Sequence, residues 1–409
     1  MTEQVDTIIV GGGQAGLSTS YYLKQEDREH IILEQTDQVA KAWRERWDSF
    51  TFITPNWMIR LPGAEYQGDE PDSFMARKNI IDYFKDYIKL FELPIRYGIQ
   101  VTSVESIETG YLVRTNKTDF EAANVVIATG MYQHPRMPSF SKNLSSEILQ
   151  LHSSKYRNPE KLPVGAVLVV GSAQSGCQIA EELYQSGRKV YLSVGSAGRL
   201  PRRYRGKDVT RWMDEMGFYD RTVDKLPSAK AKFAGSVQGT GKDDGHTINL
   251  HQFVRDGVVL LGHIQSAQDN QIVLAPDMRD NLAKSDKLEA DIVKQIDEYI
   301  EKRGLDSPRE TLPELRDGFE AEELLNLDLK SEGITSVIWA TGYKFDFSLV
   351  KLPVFDEDGY PLQKRGITEY PGLYFIGLPF LYTSKSGLLH GVGDDAAHIV
   401  SVIETNGKT

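Results

Sequence analysis

The sequence predicts an α/β fold made of two Rossmann-like dinucleotide-binding domains, the second inserted in the first, with a small β-meander. Three observations predict it. The segment Thr7-Ile8-Ile9-Val10-Gly11-Gly12-Gly13-Gln14-Ala15-Gly16 is an apolar strand running into a glycine turn, after which Ala15, Leu17, Tyr21 and Tyr22 recur at roughly helical spacing. The same design returns at Val167-Leu168-Val169-Val170-Gly171-Ser172-Ala173-Gln174-Ser175-Gly176, followed by the helical Ile179-Ala180-Glu181-Glu182-Leu183. Finally, two apolar strands break at an Ala-Thr-Gly corner, Val125-Val126-Ile127-Ala128-Thr129-Gly130 and Val337-Ile338-Trp339-Ala340-Thr341-Gly342-Tyr343. Small residues at such corners let a backbone lie close to a bound nucleotide.

Composition narrows the function classes. A chain of 409 residues is long enough for two or three domains. With 40% hydrophobic and 26% charged residues it reads as a soluble globular enzyme. A net charge of −11 argues against nucleic acid or an anionic membrane as the main partner. No apolar run reaches the roughly 18–20 residues of a membrane span. The first strand begins within a few residues, which leaves no room for a signal peptide, so the cytoplasm is the expected compartment. The one cysteine, Cys177, excludes an internal disulfide and a Cys-x-x-Cys relay, and argues against a structural zinc site. It reads as a small buried filler in a helix opening.

The first turn carries G-x-G-x-x-G at Gly11, Gly13 and Gly16. The first glycine permits the tight turn, the second lets a pyrophosphate approach, and the third lets helix and strand pack closely. A diphosphate would sit on the unpaired N–H groups that open the helix. The next strand, Ile31-Ile32-Leu33-Glu34, ends in the acid expected to bind ribose hydroxyls. Further along, Trp43 and Trp47 stand in a polar stretch; such residues either anchor a loop or wall a flat aromatic ligand. Trp57 follows in a turn-rich stretch with Asn56. Residues 79–91 place Ile80, Tyr83, Phe84, Tyr87 and Ile88 at helical spacing, and residues 95–124 alternate as a meander before the first corner. Pro135, Pro138, Pro159 and Pro163 predict an extended linker between Met131 and Val164.

In the second unit Ala173 replaces the middle glycine, and Ser193 stands near where Glu34 falls in the first. A carboxylate there would repel a 2′-phosphate; Ser193 would not. Downstream lie Arg199, Arg202, Arg203, Arg205 and Lys207, and arginine pairs well with phosphate. The first site is therefore expected to take FAD and the second NADPH, the alternative being a solvated basic loop. Residues 208–325 are least legible. They hold a helix-like stretch over 282–302, a glycine-rich loop from Gly235 to Gly245, and His246, His251 and His263, whose spacing fits no metal signature. A strand at residues 372–377 resumes a sheet, and a last helix follows Gly387 to Gly393. The expected division is 1–160 for the first part of the FAD domain, 161–325 for the NADPH domain with a helical insertion, and 326–409 for the second part of the FAD domain.

In this order the motifs resemble the flavin-containing monooxygenase family, the class B flavoprotein monooxygenases. The resemblance spans nearly the whole chain through short motifs. It assigns Gly11, Gly13, Gly16 and Glu34 to FAD, and Gly171 and Gly176 to NADPH. Gln14, Ala15, Gln35, Val101, Thr129 and Gly130 would complete the first site. Ser172, Gln174, Ser175, Ser193, Arg199 and Arg202 would complete the second, and Thr341, Gly342, Tyr343 and Gly377 would line the cofactors from the C-terminal part. Trp43 matches the tryptophan of the family's Gly-Gly-x-Trp segment beside the flavin, with Ala40 and Lys41 in place of the glycines. Asn56 lies in the segment where some members carry a catalytic asparagine.

His152 and Tyr156 fit the family's linker signature, but Ser146 and Ile148 replace its Phe and Gly. That departure argues against a Baeyer–Villiger enzyme more than against a heteroatom oxygenase. Gly377-Leu378 lacks the Gly-Asp of disulfide reductases. The resemblance thus implies NADPH-dependent reduction of FAD, capture of O₂ as a flavin C4a-hydroperoxide, and oxygenation of a soft nitrogen or sulfur on a small molecule. Alternatives are an NADPH:acceptor reductase or oxidase, and a non-catalytic nucleotide-bound redox sensor.

Overall fold

The computed structural model describes residues 2–233 and 237–406, so Gly235 of the expected glycine-rich loop lies outside the described residues. The chain opens with β1 (Thr2–Val10), α1 (Gln14–Gln25) and β2 (His30–Glu34), then α2 (Arg77–Leu90). β3 (Ile95–Tyr97), β4 (Val101–Ile107), β5 (Gly110–Thr115) and β6 (Asp119–Ile127) follow. Next come β7 (Leu149–His152), β8 (Ala166–Val170), α3 (Gln174–Gln185), β9 (Val190–Ser193) and β10 (Val259–Leu261). The chain ends with α4 (Met278–Arg303), β11 (Ile334–Trp339), β12 (Leu373–Phe375) and α5 (Val392–Asn406).

Two sheets organise these elements. In the first, the order is β3-β2-β1-β6-β5-β4, with β12 also on β6. β6 serves two neighbours along its length. Its residues 120–122 pair antiparallel with β5, as the meander pattern predicts, and residues 125–127 pair parallel with β12. Beside them β1 runs parallel to β6 from Thr2 opposite Asp119 to Val10 opposite Ile127. Continuous apolar runs suit such strands, because helices cover both faces of a parallel sheet. Ile8, Ile9, Val125 and Val126 are each 0% exposed.

The second sheet is parallel throughout, in the order β7-β11-β8-β9-β10. It extends beyond the expected 161–325 at both ends. Leu149–His152, expected within an extended linker, forms strand β7, and the strand before the second Ala-Thr-Gly corner is β11 of this same sheet. Each unit therefore carries its own corner next to its own glycine turn. The expected helix over 282–302 is α4, with Met278, Leu282, Ile292, Ile296 and Ile300 on its buried face and Gly304 ending it at φ +61. Ile264–Gln268, Gln271–Leu274 and Asn326–Asp328 form a small antiparallel sheet in the stretch the sequence left least legible. No helix among the described residues is long and apolar enough to cross a membrane.

Candidate functional site

Both glycine turns have the geometry their residue types demand. Gly11 stands at φ +112 and Gly171 at φ +103, where a side chain is strained. A Cβ on Gly16 would lie 2.0 Å from the Gly11 carbonyl oxygen, and one on Gly176 would lie 1.7 Å from that of Gly171. The third glycine of each motif is thus required by backbone contact between helix and turn. A Cβ on Gly13 would meet nothing within 4 Å. That side of the turn is open, as a site for a pyrophosphate requires. The N-caps, Gly13 for α1 and Ala173 for α3, make no side-chain capping bond. The first N–H groups of each helix are therefore available to an anion.

Glu34 ends β2 beside the first turn. Gly12 donates its N–H to Glu34 Oε2 at 2.8 Å, and Thr36 donates its N–H and hydroxyl to Oε1 at 2.9 and 2.7 Å. These bonds aim the carboxylate, which keeps lone pairs for ribose hydroxyls. Gln35 beyond it is exposed. Gly98 and Ile99 donate to the carbonyls of Thr36 and Glu34, bringing the segment before Val101 to the end of β2. Gln14 donates to the Gly387 carbonyl at 2.7 Å, and Gly377, at φ +77, packs on Ala15 so closely that a Cβ there would lie 2.6 Å from the alanine methyl. The C-terminal segment therefore closes over the start of α1.

The two corners meet. Gln133 donates to Thr129 Oγ at 3.1 Å and to the Gly130 carbonyl at 2.7 Å, and Arg136 donates its N–H to the Gly342 carbonyl at 2.9 Å. The Thr341 hydroxyl donates to the Arg136 carbonyl. Gly130 and Gly342 both have positive φ and open space where a Cβ would stand. His152 accepts the Ser154 N–H at Nδ1, so its Nε2–H donates to the Gly342 carbonyl at 2.9 Å. Burial holds its pKa below the usual histidine value, keeping it neutral, and its ring lies edge-on to Tyr343 at 4.9 Å. Tyr156 donates to Glu182 at 2.6 Å, a structural bond onto α3.

Trp43 is half-buried, 4.6 Å from the Phe52 ring. Asn56 is 5% exposed; its amide donates to the Glu70 carbonyl at 2.8 Å while Oδ1 is buried without a partner. Such an acceptor is free to take a bond from a ligand or from a water.

In the second unit Ser172 Oγ accepts the Gly195 N–H at 2.9 Å, tying the glycine turn to the loop after β9, while Gln174 and Ser175 open α3 half-buried. The basic run departs from expectation. Ser193 is buried and donates to the Gly262 carbonyl at 2.9 Å. Arg199, 5% exposed, pairs with Asp286 at 2.8 Å and Glu289 at 2.7 Å. Arg202 grips Asp208 through two donors at 2.7 and 2.5 Å, and its third contact is the Ile53 carbonyl at 2.7 Å. Contrary to the expectation of phosphate ligands, these residues are turned to internal partners: carbonyls and carboxylates take the Ser193 hydroxyl, both terminal nitrogens of Arg199 and every guanidinium nitrogen of Arg202, and Arg199 Nε is buried without a partner.

Cys177 is 0% exposed, its thiol donates to the Ser172 carbonyl, and burial pushes its pKa far above the usual thiol range. Among the described residues there is no metal-holding group of three or more His, Cys, Asp or Glu. His246, His251 and His263 each face one carboxylate, Glu181, Asp286 and Asp277 respectively.

Sequence patterns missed two residues. The Arg46 guanidinium faces the rings of Trp43, Phe50 and Tyr132 at 5.8–6.0 Å with its Nε buried and unpartnered. His390, 6% exposed, lies 4.8 Å from the Tyr219 ring with no partner at Nε2. Burial, with Arg60 and Lys385 nearby, pushes its pKa down to about 4. A depressed histidine destabilises the fold on acidification: its contribution is full above about pH 6.5 and is lost as pH falls toward 4. Denaturation of the protein is expected to lose on the order of 3 kcal/mol across that window, and His390→Gln is expected to flatten this part of the curve. An unchanged slope in the variant would refute the assignment.

The sequence pattern described as pyridine nucleotide-disulphide oxidoreductase matches residues 8–215. The uncharacterized oxidoreductase CzcO-like of Geobacillus kaustophilus is 32% identical over 407 residues, covering 98% of this chain and 99% of the relative. A flavin-containing monooxygenase from Stenotrophomonas maltophilia shares the fold, with a TM-score of 0.68 and 18% identity over 99% of each chain. The bacillithiol disulfide reductase Bdr of Staphylococcus aureus does so with a TM-score of 0.63 and 14% identity over 99% of each chain. Matched over half its length by the first pattern and over nearly all of it by the Geobacillus relative, the chain belongs to the pyridine nucleotide-disulphide oxidoreductase family and is an oxidoreductase.

Proposed function

We propose that this oxidoreductase binds FAD at the first glycine turn and NADPH at the second, and oxygenates a soft nucleophilic nitrogen or sulfur of a small molecule with O₂. One observation carries the reading. Two glycine turns, each beside its own Ala-Thr-Gly corner, start helices whose N-caps make no side-chain bond, residues 134–136 and 341–344 join the two corners, and the chain's only thiol is sealed inside α3. Two cofactors are thus served and no cysteine relay is. Among the fold's neighbours, that favours the oxygenase over the disulfide reductase.

FAD, when bound, supplies hydride acceptance and O₂ activation. The chain's part is to hold and to exclude. α1 would hold the FAD diphosphate on its first N–H groups and Glu34 would bind the ribose, while α3 would hold the diphosphate of NADPH in the same way. Trp43, Phe50 and Phe52 pack into an aromatic cluster that would keep water from a flavin bound beside it. Asn56 offers its unpaired Oδ1 to a donor in the site, and neutral His152 fixes the second corner through Gly342. No acid–base dyad is required.

The test is NADPH oxidation by the flavin-loaded protein in air across a panel of amines, thioethers and ketones. Oxygenated amine or thioether formed in step with NADPH consumption is the expected result. Hydrogen peroxide equal to NADPH consumed, whatever the substrate, would establish the reductase or oxidase alternative, and no bound flavin with no turnover would establish the sensor. Asn56→Ala is expected to keep flavin and NADPH oxidation while diverting about tenfold more turnover to peroxide, since removing one buried polar contact costs roughly 1–3 kcal/mol. Peroxide yield, measured against product, checks this.

A further inference from the structure

We infer that the His263–Asp277 pair sets the preference of the second nucleotide site for NADPH over NADH, and that the preference is present while His263 is protonated and fades as it loses its proton. The inference rests on the reading of that unit as the nicotinamide-nucleotide site. In a Rossmann unit the adenosine ribose lies at the C-terminal end of the second strand, here β9. That end carries no charge of its own: Ser193 is spent on Gly262, Val194 is buried, and the Gly195 N–H is held by Ser172. Arg199 and Arg202 are committed to Asp286, Glu289 and Asp208.

The neighbouring strand supplies what β9 lacks. β10 pairs in register with β9, Leu261 opposite Ser193, so that Gly262 and His263 emerge at the same sheet edge. His263 is half-exposed, and its Nε2 lies 3.8 Å from where a Cβ on Gly195 would stand. The ring is fixed from its other side. Its Nδ1–H donates to Asp277 Oδ2 at 2.5 Å, and the His263 N–H donates to Asp277 Oδ1 at 2.9 Å. Although burial works against it, these donors hold the Asp277 carboxyl below its usual range. Nε2 is therefore the free nitrogen, turned to the β9 loop.

The charges that face the ring are few. Asp277 comes from the residue before α4; on α4 itself Asn281 lies 3.2 Å from Nδ1 and receives a bond from Lys284 at 3.3 Å. In the β9 loop residues 194–198 carry no charge, and Arg199 and Arg202 beyond them are paired with carboxylates. With His263 neutral the pair is a net anion and repels a 2′-phosphate. With His263 protonated the pair is neutral and Nε2–H is a donor toward that phosphate. NADPH selectivity thus falls as pH rises.

The test compares calorimetric binding of 2′,5′-ADP and 5′-AMP to the flavin-loaded protein at about pH 6 and about pH 8. The wild type is expected to favour 2′,5′-ADP by a ratio that falls about fivefold to tenfold over that interval, as for a charge-assisted bond of roughly 1–1.4 kcal/mol. His263→Ala and His263→Gln are expected to lower the ratio at about pH 6 and to flatten its pH dependence. Asp277→Asn, which keeps the size of the side chain and removes its negative charge, is expected to raise the ratio at about pH 8. Comparing the wild type with the His263 variants at each pH cancels the titration of the 2′-phosphate, which 5′-AMP lacks. Ratios unchanged in the His263 variants, with both ligands still bound, would overturn the inference alone. Failure of both nucleotides and of NADPH to bind the wild type would overturn the reading of the site as well.

Discussion

Gly16→Ala is expected to purify with little flavin, whereas Gly176→Ala is expected to keep its flavin and lose nucleotide binding. In both turns the obstacle is a backbone carbonyl, at 2.0 Å in the first and 1.7 Å in the second, and no rotamer change relieves it. The turn cannot retreat either, because a Cβ on Gly11 would already lie 2.7 Å from the Ala128 carbonyl, and one on Gly171 would lie 2.6 Å from that of Ala340. Strand, turn and corner are packed in series, so the helix must move away from the turn it opens on. Such overpacking costs about 1–3 kcal/mol, or about tenfold to a hundredfold in the affinity of a ligand held on that helix end. Flavin-to-protein ratio and calorimetric NADP⁺ binding measure the two losses separately. Gly13→Ala separates packing from ligand approach: its methyl meets no protein atom, so the variant is expected to fold as the wild type and to weaken only FAD. Full flavin in Gly16→Ala would refute the placement of the site.

The glycine turns were legible because their signal is local. Positive φ at Gly11 and close contact at Gly16 each demand a particular residue, and the demand is written at that position. Glu34 was legible for the same reason, standing at the end of the strand that follows. β7 was not. Leu149-Gln150-Leu151-His152 sits among prolines and becomes a strand only because residues 336–339, far along the chain, supply its partner. The arginines failed in the same way. A sequence shows five cations close together, but not that Asp208, Asp286 and Glu289 fold back upon Arg202 and Arg199. His263 belongs to no motif, and only the alignment of β10 with β9 brings it to Gly195. Long-range pairing of charges and strands is what one-dimensional patterns do not contain.

The second large effect follows from that misread cation. Asp208→Ala is expected to destabilise the protein by about 3–5 kcal/mol, because it leaves the Arg202 guanidinium buried and unpaired. Both partners are sealed, Arg202 at 7% and Asp208 at 3% exposure, and Asp208 also accepts the N–H and hydroxyl of Thr210 at 2.8 and 2.6 Å. Arg202 meanwhile reaches the Ile53 carbonyl and lies 4.7 Å from the Phe74 ring, so the pair fastens the basic stretch to residues 53–74. The exposed pair Arg203–Asp244 is the control: Asp244→Ala is expected to cost no more than about 1 kcal/mol, since water screens it. Denaturant midpoints of the flavin-loaded protein measure both. Arg202→Lys decides between the two meanings of this residue. A lysine cannot reproduce the two-donor grip, so a structural arginine predicts lost stability with an unchanged ratio of 2′,5′-ADP to 5′-AMP binding. A phosphate-binding arginine predicts the reverse, a collapsed ratio in a protein as stable as the wild type. The closed ring of contacts around Arg202 favours the first outcome, because each of its nitrogen donors already has an acceptor inside the fold.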